Sequence, residues 1–405
     1  MNKRLTDGGL AETEKWPEAG KLGCLRQASK DTYNVGNWGI SKMAETHPVD
    51  RIELGGIVTI RDALLAQQRR GRKVYRLESG DPSFSIPGHV AEALAKAIRD
   101  GHTHYTPGAG IPELRQALFE KLVKKNHLPL TGPDQVLVTN GAMHGLYIAY
   151  RALLDPGDEV LVPDPTWTET ADNVLLAGGE VVRVPLNPQL RYEAAAVAEK
   201  ITPRTKALVI NSPHNPTGTV MTREEVQAMV ELAAQHGVWI ISDEAYEDIL
   251  FDGRTHLSPG SLGYERVISL YSFSKSYAMS GLRLGYVACT DPQLLERMTK
   301  LLRCTINGVN SATQHAGVAA VTGPQDHLAA MVAEYQNRRD VLWGALAHCR
   351  LLHPFKPEGA FYLWAAMDAA WEGYQGQRDG WAMTRYLIDA FGVGSSPGEV
   401  FRPAR

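Results

Sequence analysis

Cysteine is scarce. Four occur in 405 residues (Cys24, Cys289, Cys304 and Cys349), widely spaced and with no CxxC pair. Neither a disulfide framework nor a thiolate zinc site follows from that spacing, and no metal is expected. Long apolar runs are missing too: none reaches the roughly 20 residues that span a bilayer. Met1–Asn2–Lys3–Arg4 leads into polar sequence rather than an apolar signal core, so a cytoplasmic location without a membrane partner is expected. Nor is there an excess of one charge. The net charge is -3, which leaves no basic field to make nucleic acid the default partner. Internal repeats and low-complexity tracts are absent. What remains is 44% hydrophobic and 21% charged, the balance of a globular chain and not of a disordered one. At 405 residues the expectation is two packed units, or one large α/β unit with a smaller one attached.

The first fifty or so residues hold turn formers and no sustained period, and are read as an arm over 1–55. From Gly56 the pattern tightens: Ile57, Ile60, Leu64 and Leu65 share a helical face that ends in the polar stretch Gln67–Lys73. Tyr75–Glu78 is a short strand candidate. Then short apolar runs recur: Gln135–Thr139, Glu159–Val162, Ala207–Asn211, Val238–Ser242 and Val267–Tyr271, with helical stretches such as Met143–Leu154 and Arg223–His236 between some of them. Non-alternating apolar strands separated by helices predict a mostly parallel sheet covered on both faces. Such sheets bind ligands beyond the carboxyl ends of their strands. After about residue 290 a long helical stretch, Asp291–Leu302, leads to Tyr335–Arg350 and to a small α+β region around Phe361–Trp364. The division expected is therefore an arm (1–55), a mainly large α/β domain (56–290, its start contributing to the smaller one), and an interdomain helix with a small domain (291–405).

Five places carry chemistry. Ser272–Phe273–Ser274–Lys275 follows the strand candidate ending at Tyr271, with Arg283 eight residues beyond Lys275. A lysine at the end of a buried strand loses hydration, and its amine becomes available as a nucleophile toward a carbonyl. The flanking hydroxyls and the arginine suit an aldehyde cofactor bearing a phosphate, although most lysines are merely solvated. Asp243 closes the apolar run Val238–Ser242. A buried carboxylate needs a cation, such as a protonated pyridine nitrogen; the alternative, equally weighted on local sequence, is an N-cap for a following helix. Asn215, in Asn211–Ser212–Pro213–His214–Asn215–Pro216–Thr217–Gly218, lies in what local sequence reads first as a turn. Gly141–Ala142–Met143 opens a helix after a strand, where free N–H groups accept an anion. Trp167 is core filler or a platform for a flat ring.

In this order and spacing the segments resemble the class I/II aminotransferase family of fold-type I pyridoxal phosphate (PLP) enzymes, closest to its bacterial aspartate-aminotransferase-like subgroup. The segments are Ser79–Gly80–Asp81–Pro82–Ser83–Phe84, Thr103–His104–Tyr105–Thr106–Pro107 with Gly108–Arg115, Asn211–Gly218, Ser242–Tyr246, Ser272–Gly285 and Lys356–Pro357–Glu358–Gly359–Ala360–Phe361–Tyr362. The resemblance spans residues 55–401. It implies a large α/β domain with a seven-stranded, mostly parallel sheet plus a smaller α+β domain. It also implies a ping-pong aminotransferase that moves an amino group from an amino acid to a 2-oxo acid. Lys275 would be the catalytic residue, joined to PLP as an aldimine. Asp243 would pair with the pyridine nitrogen, and Asn215 and Tyr246 with the phenolic oxygen. Trp167 would stack on the ring. Ser272, Ser274, Arg283 and the backbone at Gly141, Ala142 and Met143 would hold the phosphate, with Tyr105 reaching in from the second subunit of a homodimer. Gly80, Trp167 and Asn215 would face the substrate.

Departures from the family pattern set further expectations. Members usually continue beyond a segment like Pro397–Phe401 to an arginine that clamps the substrate carboxylate. Neither Arg402 nor Arg405 matches that position, which implies weakened binding, a substitute arginine, or a substrate without that carboxylate. Some members that take acidic substrates carry lysine where Met143 stands, which tilts the expected donor toward a neutral or apolar amino acid. Beside it, His144 is read as a surface or packing residue. The alternatives kept are a PLP-dependent lyase, oxidase or cyclase, an impaired member, and a regulator's effector domain. The last is disfavoured because the segment before Gly56 shows no paired-helix pattern.

Overall fold

The computed structural model describes residues 48–52 and 56–402. Most of the expected arm, and Arg405, lie outside the described residues. At the centre is a seven-stranded sheet built from β1 (Val136–Thr139), β2 (Glu159–Asp164), β3 (Glu180–Pro185), β4 (Thr205–Asn211), β5 (Trp239–Asp243), β6 (Val267–Ser272) and β7 (Gly285–Cys289). Its order is β1-β7-β6-β5-β4-β2-β3. β7 runs antiparallel to both neighbours; all the other pairings are parallel. The mostly parallel seven-stranded sheet expected from the resemblance is present.

The strands are apolar on both faces because both faces are covered. Leu137, Val209, Ile241 and Ile268 point into one core together with the helix Gly141–Leu153. Their neighbours Val136 and Val138 face a second core with Leu114, Leu118 and Leu122 of the helix Pro112–Lys124. Leu208, Ile210 and Ile240 face a third, with Val226, Met229 and Val230 of the helix Arg223–His236. This is the period-2 geometry of a strand with no solvated side. The last helix starts as its sequence dictates: Thr222 accepts from the Glu225 N–H and the Glu225 side chain reaches back, a complete capping box, and Gly237 closes the helix in the left-handed region.

Two strands escaped the apolar-run reading. β3, Glu-Val-Val-Arg-Val-Pro, is a half-buried edge strand with charges in its run. β7 follows β6 with no long helix between them, so helix–strand alternation does not announce it. Tyr75–Glu78 shortens to a two-residue pairing of Tyr75–Arg76 with Val393–Gly394. No strand covers Phe361–Trp364; the small antiparallel pair is formed by Leu352–Pro354 and Ala365–Met367 on either side of it. The helix Gly56–Arg69 buries Ile60 and Leu64 against Ile388 of the helix Gly380–Phe391, so the two ends of the described chain share one small core. No helix among the described residues is long and apolar enough to cross a membrane.

Candidate active site

The chemistry-bearing residues converge at the carboxyl ends of β1, β2, β4, β5 and β6, where a parallel sheet presents free backbone groups and loops. Lys275 sits in the single turn Phe273–Ser276 that follows β6. Its Nζ donates to the Gly80 carbonyl at 2.7 Å and lies 5.5 Å from the Tyr246 ring centroid and 5.6 Å from that of Phe361. Burial lowers its pKa to about 8, against the raising effect of the Asp81 and Asp243 carboxylates and with help from Arg283. A tenth or so of the amine is then neutral near pH 7 even without a cofactor.

Asp243, 7% exposed, is not a helix cap. A turn follows it, and its Oδ1 accepts from the Ala245 N–H at 3.1 Å. Burial pushes its pKa up to about 6, opposed by that N–H, assisted by the neighbouring Glu244 charge and opposed by Lys275. Asn211 ties two strand ends together: its Nδ2 donates to the Asp243 carbonyl at 3.0 Å and its Oδ1 accepts from the Asn215 N–H at 2.7 Å. Asn215 is therefore more than a turn former. Its Nδ2 donates to Tyr362 Oη at 3.5 Å, and its Oδ1 is buried with no hydrogen-bond partner. Tyr246 is buried, and its hydroxyl meets that of Tyr362 in a short contact.

On the far side, Gly141 opens the helix Gly141–Leu153 with φ +79°, and a Cβ there would lie 2.5 Å from Arg283 Nη2. The missing side chain is what lets the guanidinium stand at the helix N-terminus. Arg283 Nη1 is anchored on the Ser280 carbonyl at 2.7 Å. The first N–H groups of a helix have no intrahelical partner, so Gly141, Ala142 and Met143 beside Arg283 are donors chemically able to hold an anion. Ser272 accepts from the Ser274 N–H at 3.1 Å and caps the lysine's turn; Ser274 is buried beside it. Met143 is 39% exposed. His144 bonds Thr305 Oγ1 at 2.9 Å, a packing contact.

Trp167 precedes the helix Thr168–Leu176 and packs at the edge of the first core, half-buried. Tyr105 stands apart: it is 89% exposed and lines a concavity of about 840 Å³ with Ile98, Asn307 and Asn310. Arg402 is turned toward the end of β2: its Nε lies 3.4 Å from Asp164 Oδ1. Two residues without an assigned role from sequence belong here. Asp81 accepts from Ser280 Oγ and bears on Lys275 electrostatically. Tyr362 links Tyr246, Asn215 and Gly80, whose Cβ would lie 2.7 Å from its Oη. Both lie inside matched motifs, but only tertiary proximity reveals what they touch.

The geometry has counterparts among known proteins. The family described as aminotransferase class I and II matches residues 72–404. A probable aspartate/prephenate aminotransferase of Thermus aquaticus is 39% identical over 76% of this chain and 80% of its own length. An aspartate aminotransferase structure from Rhizobium meliloti superposes with TM-score 0.84 at 32% identity, over 89% of this chain and 92% of the other. An alanine aminotransferase from Pyrococcus furiosus does so with TM-score 0.82 at 31% identity, over 88% and 91%. With its seven-stranded fold, its strand-end lysine and these matches, the chain belongs to the aminotransferase class I and II family.

Proposed function

We propose that the chain is a PLP-dependent aminotransferase in which Lys275 both carries the cofactor and moves the proton. The family generally uses PLP, and the residues present fit it. Asn215 Nδ2 has a second N–H besides the one it gives Tyr362, Asp243 is a buried carboxylate in need of a cation, and the absent side chain at Gly141 leaves Arg283 at the helix N-terminus. Bound there, PLP would supply the electron sink that makes a substrate Cα–H acidic. Asp243 would hold the pyridine nitrogen protonated, Asn215 and Tyr246 would hydrogen-bond the phenolic oxygen, and Trp167 would support the ring face. Arg283, Ser272, Ser274 and the N–H groups of Gly141, Ala142 and Met143 would bind the phosphate. Lys275 Nζ would take the proton from the substrate Cα and return it to the cofactor carbon, as base and then acid. Tyr105 would complete the phosphate site of a second subunit, and residues 291–405 with the start of the 56–290 segment would form the small domain.

The single observation that carries the reading is the Lys275 amine, desolvated at the strand end among Gly80, Tyr246 and Phe361. The substrates would be an amino acid and a 2-oxo acid. Similar proteins are named for aspartate, prephenate or alanine; Met143 offers no charge to a second carboxylate, which favours a neutral donor. The test is a visible-absorbance titration of PLP-loaded protein with acidic, neutral and basic amino acids, each followed by a 2-oxo acid. Bleaching by a donor and recovery with an acceptor are expected, with neutral donors ahead of aspartate. In Lys275→Ala the half-reaction is expected to slow by about 10²–10⁴-fold, the usual worth of a positioned acid–base group. Pyruvate and ammonia formed from one amino acid without an acceptor would sink the transamination reading in favour of a lyase.

A further inference from the structure

We propose that Tyr362 is a positioning residue: its hydroxyl bridges Asn215 and Tyr246 and directs the Tyr246 proton toward the cofactor's phenolic oxygen. The inference rests on the PLP reading above and adds a residue to it. Tyr362 Oη touches the Tyr246 hydroxyl, accepts from Asn215 Nδ2 at 3.5 Å and lies over Gly80, the residue whose carbonyl holds Lys275. Each phenol has one proton. Either phenol can donate in their contact; in the arrangement inferred here, Asn215 donates to Tyr362, Tyr362 gives its own proton to Tyr246, and the Tyr246 proton is left to point outward. A run of donors in one direction polarises each successive O–H, so the last becomes a better donor than an isolated tyrosine.

The segment that carries Tyr362 is fastened to both loops it bridges. Glu358 and Gly359 donate their N–H groups to the Gly218 carbonyl at 2.8 and 2.9 Å, close to Asn215 in the chain. Ala360 donates to Ile249 at 2.8 Å, and Phe251 donates to Glu358 at 2.9 Å, beyond Tyr246. Arg191 locks the Glu358 carboxylate at 2.7 Å while holding Glu225. The hydroxyl is thus placed by backbone bonds rather than by a free side chain. Burial holds the phenol's pKa well above its ordinary value, and the charged or titratable groups that face it are Tyr246, Asp243, Tyr335 and Glu169. It keeps its proton throughout the neutral range.

The experiment is the pH titration of the visible band of PLP-loaded protein without substrate, for wild type, Tyr362→Phe, Tyr246→Phe and the double variant. A hydrogen bond that lowers the proton affinity of the loaded site is lost in Tyr362→Phe, so the midpoint is expected to rise by about half a pH unit or more. In the Tyr246→Phe background the same substitution is expected to add nothing, since it acts through Tyr246. Gly80→Ala places a methyl 2.7 Å from Tyr362 Oη; it displaces the hydroxyl without deleting it and is expected to move the midpoint the same way. A titrating band that Tyr362→Phe leaves unshifted, or shifts equally with and without Tyr246, overturns the inference alone. A wild-type protein that forms no band with PLP overturns the cofactor reading and this inference with it.

Discussion

Asp243 and Lys275 are opposite charges that the fold takes out of water at one place. The Asp243 pKa rises from 3.8 to about 6. Between those values the native state binds more protons than the unfolded chain, so stability falls as pH rises through the window. Above about 6 the cost is fully present; below about 3.8 it is gone. Asp243→Asn is therefore expected to stabilise the cofactor-free protein at pH 7.5 by on the order of 2 kcal/mol, and the gain is expected to fade toward pH 4. Thermal melts of the two proteins across that range check this; a variant that melts no higher than wild type at pH 7.5 would count against it. The same substitution is expected to cripple transamination, because asparagine cannot hold a pyridine nitrogen protonated. Stability and function pull against each other at this residue, as is common where a site is built before its ligand arrives.

At the scale of the element, the junction between β1 and the helix Gly141–Leu153 does two jobs with one glycine. Gly141 takes φ +79° and leaves its Cβ position to the Arg283 guanidinium, 2.5 Å away. Gly141→Ala adds a left-handed strain of about 1 kcal/mol and pushes the arginine from the helix N-terminus. The loss expected is tenfold or more in PLP affinity, about 1.4 kcal/mol, with the fold retained. Fluorescence titration of apo protein with PLP measures it, and unchanged affinity would remove Arg283 and the helix N-terminus from the phosphate site. Elements also mark where reading from sequence stops. The runs at β1, β2, β4, β5 and β6 are legible because both faces of a central parallel strand are apolar. β3 is not, because an edge strand carries charge. β7 is not, because it returns antiparallel straight after the lysine's loop. The Asp243 alternatives were equal on sequence because capping and cofactor pairing use the same residue type; the turn after β5 decides against the cap.

At the scale of the molecule, the proposal places Tyr105 in the neighbouring subunit's site. Tyr105 is 89% exposed and lines a concavity of about 840 Å³. Two inactive variants, Tyr105→Ala and Lys275→Ala, are expected to complement when mixed through a denaturation–refolding cycle. In a hybrid dimer one site receives both defects and the other neither, so about a quarter of wild-type activity is expected to return. If the mixture stays as inactive as its parents, Tyr105 does not cross an interface. The sequence by itself determined the sheet type, the strand-end lysine and aspartate, and the order of motifs that resembles one family, because these depend on local periodicity and on residue type at strand ends. Tertiary structure alone decided that Gly141 makes room for Arg283 from 142 residues downstream and that Tyr362 joins Asn215 and Tyr246 across 147 and 116 residues. Contacts between distant segments depend on how strands order and loops dock in space, and no local pattern in the chain encodes that.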